Sequence, residues 1–159
     1  MNKRIVVFIL VLASSLSMGS ADLYAPSLPH LAEFFNTSAA NIKLTMSLNI
    51  LAYALATLIH GPLSERFGRR PVLLWGLASF SVFSFFCAVS QNIEQLIIAR
   101  IFQGISAAVE GVLVLAIIRD IFEEKDQVRV MALYGVVTAL TPAIAPVLGG
   151  YIHVLFGWR

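Results

Sequence analysis

Residues 61–74 read GPLSERFGRRPVLL. Three arginines and a glutamate sit there with two glycines and two prolines, between two strongly apolar runs. A charged, turn-forming segment in that position reads as a connection between membrane spans. Working outward from it, runs long enough to cross a bilayer, which takes about 20 mostly apolar residues, fall at 5–28, 43–60, 71–90, 93–118 and 128–156. Composition agrees. The 159 residues are 58% hydrophobic and 13% charged, with a mean hydropathy of +0.85. Soluble domains carry about 25% charged residues. The expectation is an all-α integral membrane protein with five transmembrane helices.

Lysine and arginine in short loops set orientation. The N-terminus carries Lys3 and Arg4, the second loop Arg66, Arg69 and Arg70, and the fourth Arg119, Lys125 and Arg129. These are eight of the eleven cationic residues. Lys43 and Arg159 fall on the other side, and Arg100 lies within the fourth span. The N-terminus and the even-numbered loops are therefore expected in the cytoplasm. A cleavable leader is the competing reading of residues 3–22, because basic residues precede an apolar run and GSA follows. Four further spans remain in that case, so the product is a membrane protein either way.

Several function classes are excluded. Cys87 is a single cysteine inside an apolar run, so it makes no intrachain disulfide and reads as a small buried hydrophobe. The histidines His30, His60 and His153 are far apart, with no metal-ligand spacing. No cofactor is expected. No nucleophile–base set appears and the loops are short, so the chain does not read as an enzyme. The arginines are juxtamembrane, where they meet lipid headgroups rather than nucleic acid.

Charge inside a bilayer is costly and marks partners or water-filled cavities. Asp22 lies late in the first span, in DLYAPSLP, and reads either as an interfacial residue or as a titratable group at a cavity mouth. In the fourth span Arg100, Gln103, Ala107 and Glu110 share an arc of roughly 80°, which Gly104 and Gly111 extend. Small residues explain a helix–helix seam there, but not the charges. Arg100 and Glu110 are about 15 Å apart along the axis, so each needs its own partner or water. Asn49, Tyr53, Thr57 and His60 form a polar stripe on the second span, which is a packing seam or a binding face. The third span, with Phe80, Phe83, Phe85 and Phe86, reads as peripheral and lipid-facing. In the fifth, Gly135, Pro142, Pro146, Gly149 and Gly150 fall roughly on one face of a bent or tightly packed helix.

Taken together these stretches resemble the major facilitator superfamily. GPLSERFGRRP is similar to its signature loop between spans two and three, RIFQG to its span-four motif, and TPAIAPVLGG to its span-five antiporter motif. DLYAPSLP and IIRDIF resemble the Bcr/CflA branch of drug:proton antiporters. The resemblance implies a twelve-helix fold built from 3+3 repeats, of which the chain matches helices 1–5. Residues 1–159 would then be a partial N-terminal transmembrane domain, lacking the C-terminal transporter helices and not active alone. It implies proton-coupled efflux of small lipophilic or cationic compounds across a bacterial inner membrane. Asp22, Arg100 and Glu110 would be proton-coupling or cavity residues. Gly61, Glu65, Arg66, Gly68, Arg69 and Arg70 would form the cytoplasmic gate, and Pro142, Pro146, Gly149 and Gly150 the antiporter motif. Glu65 stands where the family usually has aspartate, and Ala145 where it has glycine. The alternative is a non-transporting membrane remnant or assembly partner.

Overall fold

The computed structural model describes residues 3–157. Its elements are α1 (Lys3–Tyr24), a 3-10 turn (Ala25–Ser27), α2 (Leu28–Phe34), α3 (Ala39–Phe67), α4 (Arg69–Val89), α5 (Ile93–Ile121) and α6 (Glu124–Phe156). No strand occurs among the described residues. Five segments are long and apolar enough to cross a membrane, the first running Val6–Phe34 through α1, the turn and α2. The side chains of Lys3 and Arg4, and all of Arg159, lie outside the described residues.

The connections show why the helices stop where they do. The sequence suggests that the first span ends at Leu28, but the chain stays helical to Phe34. Pro26 and Pro29 each fall in the first two positions of a new helical segment. A missing N–H is harmless there, because it has no intrahelical acceptor. The prolines therefore divide this segment without ending it. The connection itself is only residues 35–38, where Asn36 takes φ 47°. Ser38 then caps α3, its hydroxyl accepting from the Asn41 amide at 3.2 Å.

α3 and α4 are joined by Gly68 alone, at φ +92°, a backbone region in which a side chain is strained. Gly61, expected at a tight turn, instead lies inside α3. Asn92 caps α5, accepting from the Gln95 amide at 2.8 Å, and the Gln95 side chain accepts from the Gln91 amide at 3.0 Å. At the far end of α5, Gln127 Nε2 donates to the carbonyls of Phe122 at 2.8 Å and Arg119 at 3.2 Å. The last carbonyls of a helix lack an intrahelical donor, and a side chain that reaches them supplies one.

α5 is the central helix. Of its most apolar stretch 56% is buried, against 17% for α4 and 6% for α6. α3 and α4 pack along it, and α1 packs on it and on α6. Lipid tails are as apolar as leucine, so hiding apolar area does not by itself drive helices together; close van der Waals approach does. The seams show that approach. A Cβ on Gly104 would run into the Asn49 backbone carbonyl of α3, and one on Gly76 of α4 would meet the Val109 side chain at 2.7 Å. Between α1 and α6, a Cβ on Gly149 would strike the Leu23 carbonyl, and one on Gly19 would meet Thr141 at 3.1 Å.

The α6 packing face differs from the expected one. Ala145 and Gly149 are buried, whereas Gly135 and Pro142 are exposed and Gly135 and Gly150 meet nothing within 4 Å. The stripe Thr141, Ala145, Gly149 steps by four residues and faces α1. The prolines lie beside it, and α6 runs through both as one helix. α4 is peripheral, with Trp75 at 74% and Phe85 at 65% exposure.

Gly149→Val is expected to destabilise the detergent-solubilised protein by about 1–3 kcal/mol through overpacking. Gly135→Ala, whose Cβ meets open space, should not destabilise it and is expected to add up to about 1 kcal/mol through helix propensity. Thermal unfolding of both variants checks this, and equal effects would contradict the seam.

Candidate functional site

The buried polar side chains gather on α5 and on the helices that touch it. Arg100 is 7% exposed, Gln103 4%, Ser106 5% and Glu110 1%. Arg100 and Glu110 line two different cavities, and Ser20 of α1 lines both.

The Glu110 cavity has a volume of about 200 Å³ and includes Ser14, Ser17, Asn49, Tyr53 and Tyr134 in its lining. Neither carboxyl oxygen of Glu110 has a hydrogen-bond partner, and the Ser14 hydroxyl is likewise unpartnered. Ser17 bears on the carboxyl without reaching hydrogen-bond geometry. Tyr53 packs over Gly111, where a Cβ would collide with its hydroxyl. Ile50 and Tyr53, 58% and 37% exposed, form the rim, so the cavity opens between α1 and α3. A buried polar group without a partner is costly, and a carboxyl left in this state is free to exchange a proton or meet a cation.

The Arg100 cavity, about 250 Å³, is lined by Ser20, Tyr24, Ser27, Gly149 and His153 among others. The guanidinium carbon lies 3.8 Å from the centroid of the Tyr24 ring, a close cation–π contact. Nη1 donates to Gln103 Oε1 at 3.0 Å, while Nε has no partner. Gln103 is fixed by donating from Nε2 to Ser84 Oγ at 2.8 Å. Tyr24 is fixed in turn. The Thr45 hydroxyl spends its proton on the Ile42 carbonyl at 2.6 Å, so Tyr24 is the donor in their 3.3 Å contact. Asn49 Nδ2 donates to the Arg100 carbonyl at 2.7 Å, tying α3 to α5 at this level. No carboxylate lies within ion-pair distance of Arg100 among the described residues.

At the other end, Arg69 binds the helix ends together. Its Nε lies 3.2 Å from Asp120 Oδ2 of α5, Nη1 donates to Ser64 Oγ, and Nη2 lies 4.0 Å from Glu65 Oε1. Ser64 is 1% exposed and donates to the Gly61 carbonyl at 2.8 Å. Arg66 sits 5.3 Å over its neighbour Phe67, and Arg70 is exposed.

Several expected residues are placed differently. Arg100 and Glu110 do not share one cavity, so Arg100 is not the neighbour that bears on Glu110. Asp22 lines neither cavity and is half-buried. Glu65, 74% exposed at its side chain, is the weaker partner of Arg69, and Asp120 is the closer one. The α3 stripe divides as well. Asn49 and Tyr53 face the Glu110 cavity, Thr57 bonds its own helix at the Ala54 carbonyl, and His60 lines a groove against α4 and α5. Tyr24 and Asp120 went unassigned in the sequence although both lie in quoted motifs, DLYAPSLP and IIRDIF. Ser14 and Ser17 carried no signal beyond being polar in an apolar run. Among the described residues no group of three or more His, Cys, Asp or Glu side chains is placed to hold a metal ion.

Comparison with known proteins agrees with this architecture. The model of the Major Facilitator Superfamily matches residues 10–159. The chain is 36% identical over 148 residues to the uncharacterized MFS-type transporter YdgK of Bacillus subtilis, covering 93% of this chain and 37% of that one. It is 36% identical over 137 residues to the multidrug resistance protein MdtL of Shewanella oneidensis, covering 86% and 35%. With MdtL of Escherichia coli it shares 33% identity over 138 residues, covering 87% and 35%. The chain belongs to the Major Facilitator Superfamily, a family of membrane transporters rather than enzymes. It spans a little over a third of the length of these relatives.

Tyr24→Phe keeps the ring under Arg100 and is expected to cost about 1 kcal/mol, the value of one hydrogen bond. Tyr24→Leu removes the ring and should cost about 2 kcal/mol more, as for a desolvated cation–π pair. Equal unfolding temperatures for the two variants would remove the cation–π contact from the account.

Proposed function

We propose that this chain is the N-terminal part of a proton-coupled efflux transporter of the Bcr/CflA type. Its substrates are multidrug-like or other small molecules, lipophilic or cationic. One observation carries the reading: Glu110 is 1% exposed with both carboxyl oxygens unpartnered, in a cavity that opens between two membrane helices. In that setting the carboxyl has two ways to be stable. It holds a proton as the neutral acid, or it faces a cation as the anion. A proton entering from one side and a cationic substrate entering from the other then exclude one another, which is the logic of exchange. The names of the MdtL relatives, multidrug resistance proteins, support the substrate class.

Alternation requires an element that moves. The cytoplasmic ends of α3, α4 and α5 meet through Arg69, Asp120 and Ser64; Ser64 is buried, and the Arg69–Asp120 pair is partly exposed. Exposed ion pairs contribute about 0–1 kcal/mol, so they are made and broken at little cost, as a gate demands. The motif at 61–70 is thus read as a latch on the cytoplasmic side, and Pro142 and Pro146 as the flexible part of α6. In this reading the protein is a multi-pass component of the bacterial inner membrane with its N-terminus in the cytoplasm.

The function is tested by joining this chain to the remaining helices of a full-length relative such as MdtL and measuring efflux in everted vesicles. Glu110→Gln is expected to abolish efflux driven by a proton gradient, and Asp22→Asn to retain it. Wild-type coupling in Glu110→Gln would overturn the reading. Orientation is tested separately with Glu65→Cys. An impermeant thiol reagent should label this position only from the cytoplasmic side, and labelling from outside would reverse the topology.

A further inference from the structure

The Arg100 cavity is unlike the rest of the membrane interior in one respect: it holds a fixed cation with no anion to match. A guanidinium carries five N–H donors in a planar fork suited to a carboxylate. Among the described residues Arg100 has one side-chain acceptor, Gln103 Oε1, and a face contact with Tyr24. Its Nε is buried and unpartnered. A buried cation is normally matched by an opposite charge, yet no acid lines this cavity: Glu110 lines the other, and Asp22 neither. The remaining polar side chains that line the cavity are Ser20, Ser27 and His153, of which Ser20 spends its hydroxyl proton on the Ser17 carbonyl at 2.7 Å. His153 is held by Ser27, its Nδ1 lying 3.1 Å from Ser27 Oγ. His30 packs against His153 at 4.4 Å between ring centroids, fixing the rim.

We infer that this cavity is an anion subsite that takes the carboxylate of a small organic acid, with Arg100 as the charge partner and the hydrogen-bonded Ser27–His153 pair supplying a donor at the rim. Its volume of about 250 Å³ lies below the roughly 300–1,000 Å³ of drug-sized sites, so it fits a small acid or the acidic end of a larger molecule. Together with the Glu110 cavity, the chain then presents a cation-accepting and an anion-accepting pocket on one central helix. The substrate class this defines is the organic acid or zwitterion, not only the lipophilic cation. The word substrate rests on the transport reading above; the binding itself does not.

The test uses the protein in nanodiscs of zwitterionic lipid, with benzoate as the probe and benzyl alcohol as its neutral counterpart. Benzoate is expected to bind at least about tenfold more tightly, as charge-assisted hydrogen bonds require. Arg100→Gln should abolish the difference. Gln103→Glu guards against a variant that fails to fold, because it installs an internal carboxylate beside Arg100 while Ser84 can donate to it. That variant should fold at least as well as wild type and lose benzoate binding by about tenfold or more. Equal binding of the two probes, or undiminished benzoate binding in Gln103→Glu, would overturn the subsite. Because the readout is binding and not flux, such a result would leave the Glu110 coupling reading standing. Loss of that reading in the efflux assay would likewise leave the subsite intact.

Discussion

The structure depends on how closely α5 approaches its neighbours. Gly104 lies against the Asn49 carbonyl of α3, and Gly76 of α4 lies against Val109. In water such a core would be held by the exclusion of solvent, but between helices in lipid that term vanishes and contact distance takes its place. Once α5 is central, the arc that carries its polar side chains turns away from lipid, while Ile98 and Phe102 stay exposed. Arg100, Gln103 and Glu110 can then occupy the interior of a membrane protein, provided that each finds a partner or a cavity. The same approach positions Asn49 to bond the Arg100 carbonyl and Tyr53 to overhang Glu110.

Two buried charges on one helix are treated in opposite ways. Arg100 is braced by Gln103 and Tyr24, and each of these is braced by a second residue, Ser84 and Thr45. Glu110 is left without a hydrogen bond. A rigid cation and an unpartnered carboxyl are different devices: in the readings proposed above, the first would hold a ligand in place and the second would change its state. Their spacing along α5, about 15 Å, keeps one charge from cancelling the other.

Much of the architecture was legible in the sequence, because spans are read from hydropathy and the charged stretch at 61–74 divides them without ambiguity. The polar arc of α5 was legible too, since helical periodicity puts Arg100, Gln103 and Glu110 on one arc. What lay beyond reach depends on which side of a neighbour each residue meets. Periodicity does not say that Arg100 and Glu110 line different cavities, nor that Tyr24 turns its face to the guanidinium. Proline punctuation misled at Pro26 and Pro29, because a proline at the start of a new segment leaves the path helical. Glu65 drew attention as the only acid in its loop. The better partner of Arg69, Asp120, is distant in sequence and close only after α4 and α5 have packed.

The central claim is that Glu110 exchanges its proton for substrate. It is tested most directly by counting protons released when a cationic drug is added to the purified transporter carrying this chain, in weakly buffered detergent solution. The account predicts release from the wild type and none from Glu110→Gln at saturating drug. Equal release from both proteins would place the exchanging group elsewhere and contradict it.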